Sequence, residues 1–417
     1  MKKYDVVVAG GGFAGVGAAV GAAREGKSVL LLERFGCLGG AACHNLVNPF
    51  CVYWRKVGEK NEILNAGVFA RVIQDLRDID GVAEAGTIFN EEHLKIVLDR
   101  LVRLYGITVL FHTTLVGAKM QDGRVESISI SNKDGISEVQ AEMYIDATGD
   151  GDLFARAGFA YEVGDENGDC QPMTLCFNVG GVPYGDLTYY EVRKKVLSLY
   201  KEWQAQGKIK NPRENVLIFH SFLPNTLHFN STRIIKKSPL SAEDLTAAEF
   251  EAREQMFELL NFLKGNFELF KDCYLINSAP CIGVRESRRV VGEYTMTADD
   301  VLSCVKFEDG IARGNYAVDI HNPTGTGTIL RAVPQGEYYS VPFKALVPKG
   351  AKNLLVAGRC ISTTHEAQAS IRIMPIVCCI GEGAGVAAAT ALETGKNVNE
   401  VDISLVQKKL YKYGALY

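Results

Sequence analysis

One stretch limits what this chain can fold into more than any other. Residues 4–9, YDVVVA, read as a short buried strand, and Gly10-x-Gly12-x-x-Gly15 follows at once. Residues 14–25 are rich in Ala, Gly and Val and have helical character. Residues 28–33, SVLLLE, form a second strand that ends at Glu33. Strand, helix and strand within about thirty residues is the unit that builds a parallel sheet. Each glycine meets a separate need. Gly10 allows a tight turn, Gly12 lets the backbone approach a pyrophosphate, and Gly15 lets helix and strand pack closely. The helix N-terminus offers free N–H groups and a positive dipole to phosphates. Glu33 offers an acceptor to an adenosine ribose diol. A glycine triplet alone is a weak signal; strand, helix and acid at this spacing specify a dinucleotide site.

Composition narrows the function classes. The 45 Lys and Arg stand against 49 Asp and Glu, a net charge of −4. Such a chain has no basic field for a nucleic acid backbone, and no nucleic acid partner is expected. The opening MKKYDVVVAGGG lacks the apolar core and cleavage site of a signal peptide. No run of about 18 apolar residues is free of charge or glycine, so no membrane span is expected. Eleven cysteines are an odd number in a large chain, and no two are spaced C-x-x-C. That pattern suits a reduced, cytoplasmic protein and gives no metal site.

The rest of the chain shows how the sheet is completed. Residues 62–78 and 91–105 have helical periodicity. Residues 107–132 alternate like antiparallel strands around Asp122-Gly123. Residues 142–148 read as another buried strand, ending at Gly149. Residues 161–334 hold the longest polar helical runs, 189–206 and 242–265, and no fingerprint; they read as an inserted α+β cap or substrate domain. A buried strand, AKNLLVAGR, and a glycine-interrupted helix from Pro375 then return. The dinucleotide domain is therefore expected to be discontinuous, over 1–160 and 335–417. FAD is favoured over NAD. Gly39-Gly40 gives a backbone corridor beyond the first phosphate loop. Thr148, Gly149 and Asp150 sit at a strand end by the same crevice. The helix begun at Pro375 would aim its N-terminus at the charge of a reduced flavin.

ERxGxLGG at 33–40, IDATGDGDLFARAG at 145–158, QPMTL at 171–175, VRESRRVVGEY at 284–294 and NLLVAGRCISTTHEAQASIRxMP at 353–375 together resemble the FAD-dependent oxidoreductase family. The resemblance spans Tyr4 to about Glu393. It implies an α/β fold with a Rossmann-like FAD/NAD(P)-binding domain of the glutathione-reductase type. It is similar to the FAD half of fumarate reductase and succinate dehydrogenase flavoproteins, and to the flavin-binding chain of heterodisulfide reductase. It implies FAD contacts at Gly10, Gly12, Gly15, Glu33, Arg34, Gly39, Gly40 and Ala41. Adenine is expected near Leu115 and Val116, and the pyrophosphate near Thr148, Gly149 and Asp150. The ribityl chain and isoalloxazine are expected near Gly358, Arg359, Met374 and Pro375.

The departures matter as much. Glutathione-reductase relatives carry a C-x4-C redox disulfide; here seven residues separate Cys43 from Cys51, which read as independent packing cysteines. The stretch Gly381-Glu382-Gly383-Ala384-Gly385 has no acidic strand end after it, so close helix packing explains it better than a second fingerprint. Cys378 and Cys379 have no C-x-x-C partner and imply no cluster. His44 lies where some relatives attach FAD covalently, but their Arg-Ser-His-Thr motif is not reproduced. Non-covalent FAD is the expectation.

Flavin chemistry needs a placed substrate, a held charge and one moved proton. His365 is the candidate acid/base, because its charge changes near neutral pH. Arg372 and Arg331 are candidates to clamp a carboxylate. Arg285 and Glu286 are expected to pair at the domain interface. Asp319 and His321 lie in a loop of the kind that often carries ligands, without an assigned role; Tyr338 and Tyr339 are expected either to flank a planar substrate or to pack. The expected activity is hydride transfer between flavin N5 and a small organic substrate. The alternatives are a fumarate-reductase-like C=C reductase, or an electron-transfer flavoprotein subunit working with a redox partner protein.

Overall fold

Val6, Val7 and Val8 are all fully buried, as a strand covered on both faces requires. The computed structural model, which describes residues 3–417, places them in β1 (Lys3–Ala9). β1 runs parallel to β2 (Val29–Leu32), and β2 to β3 (Thr108–Leu110). The chain then forms an antiparallel meander of β4 (Thr114–Gln121), β5 (Arg124–Asn132) and β6 (Gly135–Asp146). Asp122 and Gly123 join β4 to β5 at φ 50° and 79°, the conformation a two-residue hairpin loop favours. β6 serves two sheets. Its first half pairs with β5, and its second half lies parallel to β1, with Ala9 opposite Asp146. β7 (Leu354–Val356), from the far end of the chain, adds in parallel to the other edge of β6. The parallel order is therefore β3-β2-β1-β6-β7. The connection reverses direction between β1 and β6, which is where an open α/β sheet binds its ligand.

Two helices cover one face at unusually short range. They are α1 (Phe13–Arg24) and α2 (Met374–Thr394). A Cβ at Gly381 would lie 1.9 Å from the Ala14 carbonyl oxygen, and one at Gly385 2.0 Å from that of Ala18. The glycines of 381–385 thus serve helix packing, as the sequence suggested. By length and composition α2 could cross a bilayer, but 94% of its apolar window is buried inside the fold. Glu382 sits in this contact almost without solvent. It pairs with Arg24 at 2.8 Å and accepts the Val68 N–H at 2.8 Å. Glu382→Ala leaves the part-buried Arg24 guanidinium with only the Tyr105 hydroxyl and leaves the Val68 N–H without its acceptor. It is expected to cost about 3–5 kcal/mol, measured by urea unfolding.

A second hydrophobic core runs from Met173 to Ile282 and takes in Leu46. Its four-stranded antiparallel sheet (Ile218–His220, Leu227–Phe229, Phe177–Gly180, Tyr274–Ser278) packs against helices Tyr189–Ala205 and Ala242–Asn266. From Val290 onward the buried side chains rejoin the first core. The side chains of this second core fall, apart from Leu46, within the 161–334 expected for the cap. The helix expected over 62–78 begins at Gly67. Lys60–Ile63 instead pairs with Trp54–Val57, where Arg55 meets Glu62 at 2.9 Å across the strands.

Candidate cofactor and substrate site

The C-terminal ends of β1, β6 and β7 open onto one crevice, and each end contributes a turn. After β1, Gly10 adopts φ +103°, and a Cβ there would lie 2.4 Å from the Ala147 carbonyl oxygen. Only glycine fits that turn. Gly15, one turn into α1, packs so close that a Cβ would sit 1.7 Å from the Gly10 oxygen. α1 begins at Gly12 with no side-chain cap, which leaves its first N–H groups to a ligand. Glu33 is buried, and both its oxygens are engaged. Oε2 accepts the Gly11 N–H at 2.8 Å, and Oε1 that of Phe35 at 2.9 Å. The acid therefore shapes the fingerprint loop as well as presenting lone pairs to the crevice.

A second glycine turn closes the floor. Gly39 donates its N–H to the Gly11 oxygen at 3.0 Å, and Gly40 lies against Gly12. The short helix Ala41–His44 starts there. After β6, Asp146 organises the next turn. It is completely buried and binds Thr148 N and Oγ1, Leu153 N and Phe154 N. Its strand-end position in IDATGDGD was the only available signal. The turn it holds presents Thr148, Gly149 and Asp150 to the crevice. Burial raises the Asp150 carboxyl, but the guanidiniums of Arg359 and Arg34 and the Ser287 hydroxyl outweigh it, and the acid stays ionised. Arg359 holds Asp150 at 2.6 Å, while its buried Nε has no partner.

The predicted cofactor residues largely converge. Gly10, Gly12, Glu33, Arg34, Gly40, Ala41, Thr148, Gly149, Asp150, Gly358, Arg359 and Met374 line the crevice. Gly15, Gly39 and Pro375 support it from behind, in α1, in the second glycine turn and in the first turn of α2. Leu115 lines a small adjoining pocket with Glu33, Arg34 and Thr113, whereas Val116 points outward, 43% exposed. At the other end, α2 starts without a side-chain cap, and Arg372 and Met374 border the crevice.

Two of the three predicted catalytic residues lie elsewhere. Arg331 sits in the exposed strand Thr328–Arg331, paired with Val318–His321, outside the crevice lining. His365 begins the helix His365–Ile371, which Thr364 caps. Its Nδ1 lies 2.8 Å from the Glu286 carboxylate, and the ring lines a separate cavity of about 1050 Å³. Glu286 also binds Arg289, not Arg285 as expected. Arg285 instead donates to the Pro172 carbonyl and to Asn230. Tyr339 is buried and bonds Ser370 at 2.7 Å; Tyr338 packs under the Arg55 and Arg313 guanidiniums.

Arg372 stands in a buried cationic cluster that the sequence did not reveal. Burial lowers the pKa of Arg285 to about 9, and the charges of Arg213 and Arg372 contribute to that shift. Burial also lowers Arg213 and Arg372. Asp319 is the carboxylate among them. The bond to His321 and the charges of Arg372 and Arg285 more than cancel its desolvation and hold it ionised. Burial and the Arg285 charge keep His321 neutral, at about 3. Tyr316 donates to Asp319 at 3.2 Å. Arg213 Nη1 and Arg372 Nη1 are buried with no hydrogen-bond partner.

A glycine turn opening onto the uncapped start of α1, a buried acid at the end of β2 and a second uncapped helix facing the same crevice are the features of a dinucleotide-binding fold. The sequence matches the FAD dependent oxidoreductase family over residues 5–410, and the chain belongs to that family. It is an FAD-dependent oxidoreductase. No curated protein matches it. Similar solved structures include a geranylgeranyl bacteriochlorophyll reductase-like protein from Thermoplasma acidophilum, 14% identical with a TM-score of 0.47, covering 100% of this chain and 84% of that one. Another is p-nitrophenol 4-monooxygenase PnpA from Pseudomonas putida, 11% identical with a TM-score of 0.47, covering 99% and 84%. OxyS anhydrotetracycline hydroxylase from Streptomyces rimosus is 12% identical with a TM-score of 0.44, covering 99% and 66%. Likenesses this distant carry no argument about chemistry.

Proposed function

We propose that this enzyme transfers hydride between flavin N5 and a small organic carboxylate, with FAD held non-covalently. One observation supports the substrate class. Arg213 and Arg372 each keep a buried guanidinium N–H without an acceptor, and a buried unpaired charge is expensive. An incoming carboxylate supplies the missing acceptor and the missing negative charge. Arg372 borders the crevice where the start of α2 faces it, so an anion bound there lies at the flavin end. Bound FAD supplies the hydride chemistry. The chain supplies orientation: Arg372 holds the carboxylate at the crevice, Arg213 adds its charge from deeper in the cluster through Arg285, and Asp319 with Tyr316 fixes the cluster. His44 borders the crevice too, and its ring is held by neighbours. Its Nε2 lies 3.1 Å from the Cys37 carbonyl oxygen, and its ring stacks on Phe35 at 4.2 Å.

Anaerobic mixing of the holoenzyme with a panel of organic acids and their neutral amides tests this reading. Acids are expected to bleach the flavin, or to reoxidise it after photoreduction, where their amides do not. Arg372→Met and Arg213→Met are expected to raise the half-saturating acid concentration about thirtyfold or more, with the flavin spectrum unchanged. Arg331→Met is expected to change neither. Equal reaction of acids and amides, or an unaffected Arg372→Met, contradicts the reading.

A further inference from the structure

Ten of the eleven thiols are held protonated by their surroundings, and one is not. Burial raises Cys51, Cys170, Cys176, Cys273, Cys281, Cys304, Cys360, Cys378 and Cys379. Cys43 is raised too, first by its bond to Cys37 and then by burial. Cys37 goes the other way. Bonds from Cys43 and then from His44 bring it down to about 4, against the opposing effect of burial.

Cys37 and Cys43 flank one turn, and the His44 ring lies against the Cys37 sulfur. Cys37 Sγ lies 3.9 Å from both ring nitrogens of His44. Cys37 is partly exposed, while Cys43 is buried beneath the intervening turn. A Cβ on Gly39 would lie 2.5 Å from Cys43 Sγ. Cys37 and Cys43 therefore bracket the turn whose backbone closes the crevice, Gly39 bonded to Gly11 and Gly40 against Gly12.

We propose that Cys37 and Cys43 form a reversible disulfide by exchange with a low-molecular-weight disulfide of the glutathione type, and that the oxidised turn binds FAD less tightly. The Cys37 thiolate attacks one sulfur of the small disulfide, whose S–S bond breaks and releases one thiolate. The Cys43 sulfur then attacks the mixed disulfide at Cys37. The second small thiolate leaves and takes up the Cys43 proton. Two protein thiols are oxidised, and one small disulfide is reduced to two thiols. Closing a bond across this turn moves the Gly39-Gly40 backbone against the fingerprint loop, which is how the site reaches the cofactor.

The test uses the full-length holoenzyme and glutathione disulfide. At about pH 6, where ordinary thiols are protonated, iodoacetamide is expected to label Cys37 before the other ten. After glutathione disulfide, the peptide holding residues 37–43 is expected to lose two hydrogens, and dithiothreitol restores them. Cys43→Ser is expected to stop at a mixed disulfide on Cys37, and Cys37→Ser to give no product at that peptide. FAD dissociation, read by the return of flavin fluorescence, is expected to become about tenfold faster in the oxidised wild type and to be unchanged by the same treatment of Cys37→Ser. A wild-type enzyme that stops at the mixed disulfide, or that leaves both thiols free, overturns the proposal. So does an internal disulfide that leaves FAD dissociation unaltered.

Discussion

Gly12→Val is expected to leave a folded protein that no longer holds FAD. Gly12 has φ −68°, which valine tolerates. A Cβ there meets nothing closer than the Gly40 Cα at 3.7 Å. No protein atom occupies that space, and Gly12 lines the crevice. The added methyl groups stand where a pyrophosphate must approach the first N–H groups of α1. The expected loss in FAD affinity is about a hundredfold or more, roughly 3 kcal/mol. Titration with FAD, followed by flavin fluorescence, measures it. Far-UV circular dichroism of the apoprotein is expected to match wild type. Affinity within about threefold of wild type would place the cofactor elsewhere.

Gly381→Val is expected to act on the fold instead. Its Cβ would come within 1.9 Å of the Ala14 carbonyl oxygen, which belongs to the backbone of a buried helix. A flexible side chain could move aside; this atom cannot without parting α1 from α2. Overpacking of this kind costs about 3 kcal/mol or more. Urea unfolding of the variant should show a lower midpoint, or the protein should fail to fold, and saturating FAD should not restore it fully. Gly265→Ala is the control, because nothing lies within 4 Å of a Cβ there. It is expected to change stability by no more than about 1 kcal/mol.

These two glycines also explain which parts of the molecule were legible in its sequence. Gly10, Gly12 and Gly15 answer local needs, a turn, an approach and a packing contact, all met within one strand–helix unit. Gly381 and Gly385 were legible because four-residue spacing on an apolar helix has few uses besides close contact. The flavin end was not legible in the same way. Arg213, Arg285 and Arg372 lie far apart in the chain, and Arg285 feels the charge of both others only because the cap folds back over the first domain. His365 looked like a flavin neighbour by sequence position, but the buried Glu286 turns its ring toward another cavity. Arg331 looked equivalent to Arg372 until a hairpin carried it to the surface. Cys37 drew no attention because its reactivity depends on Cys43 and His44 sharing one turn. Local backbone demands leave a pattern in sequence; side chains gathered from distant segments do not.

The most direct measurement is the visible spectrum of the protein before and after acid precipitation. Flavin absorption bands are expected in the native protein, and FAD in the supernatant after precipitation. A yellow pellet would contradict non-covalent binding, and a colourless protein that takes up no added FAD would contradict the assignment of the crevice itself.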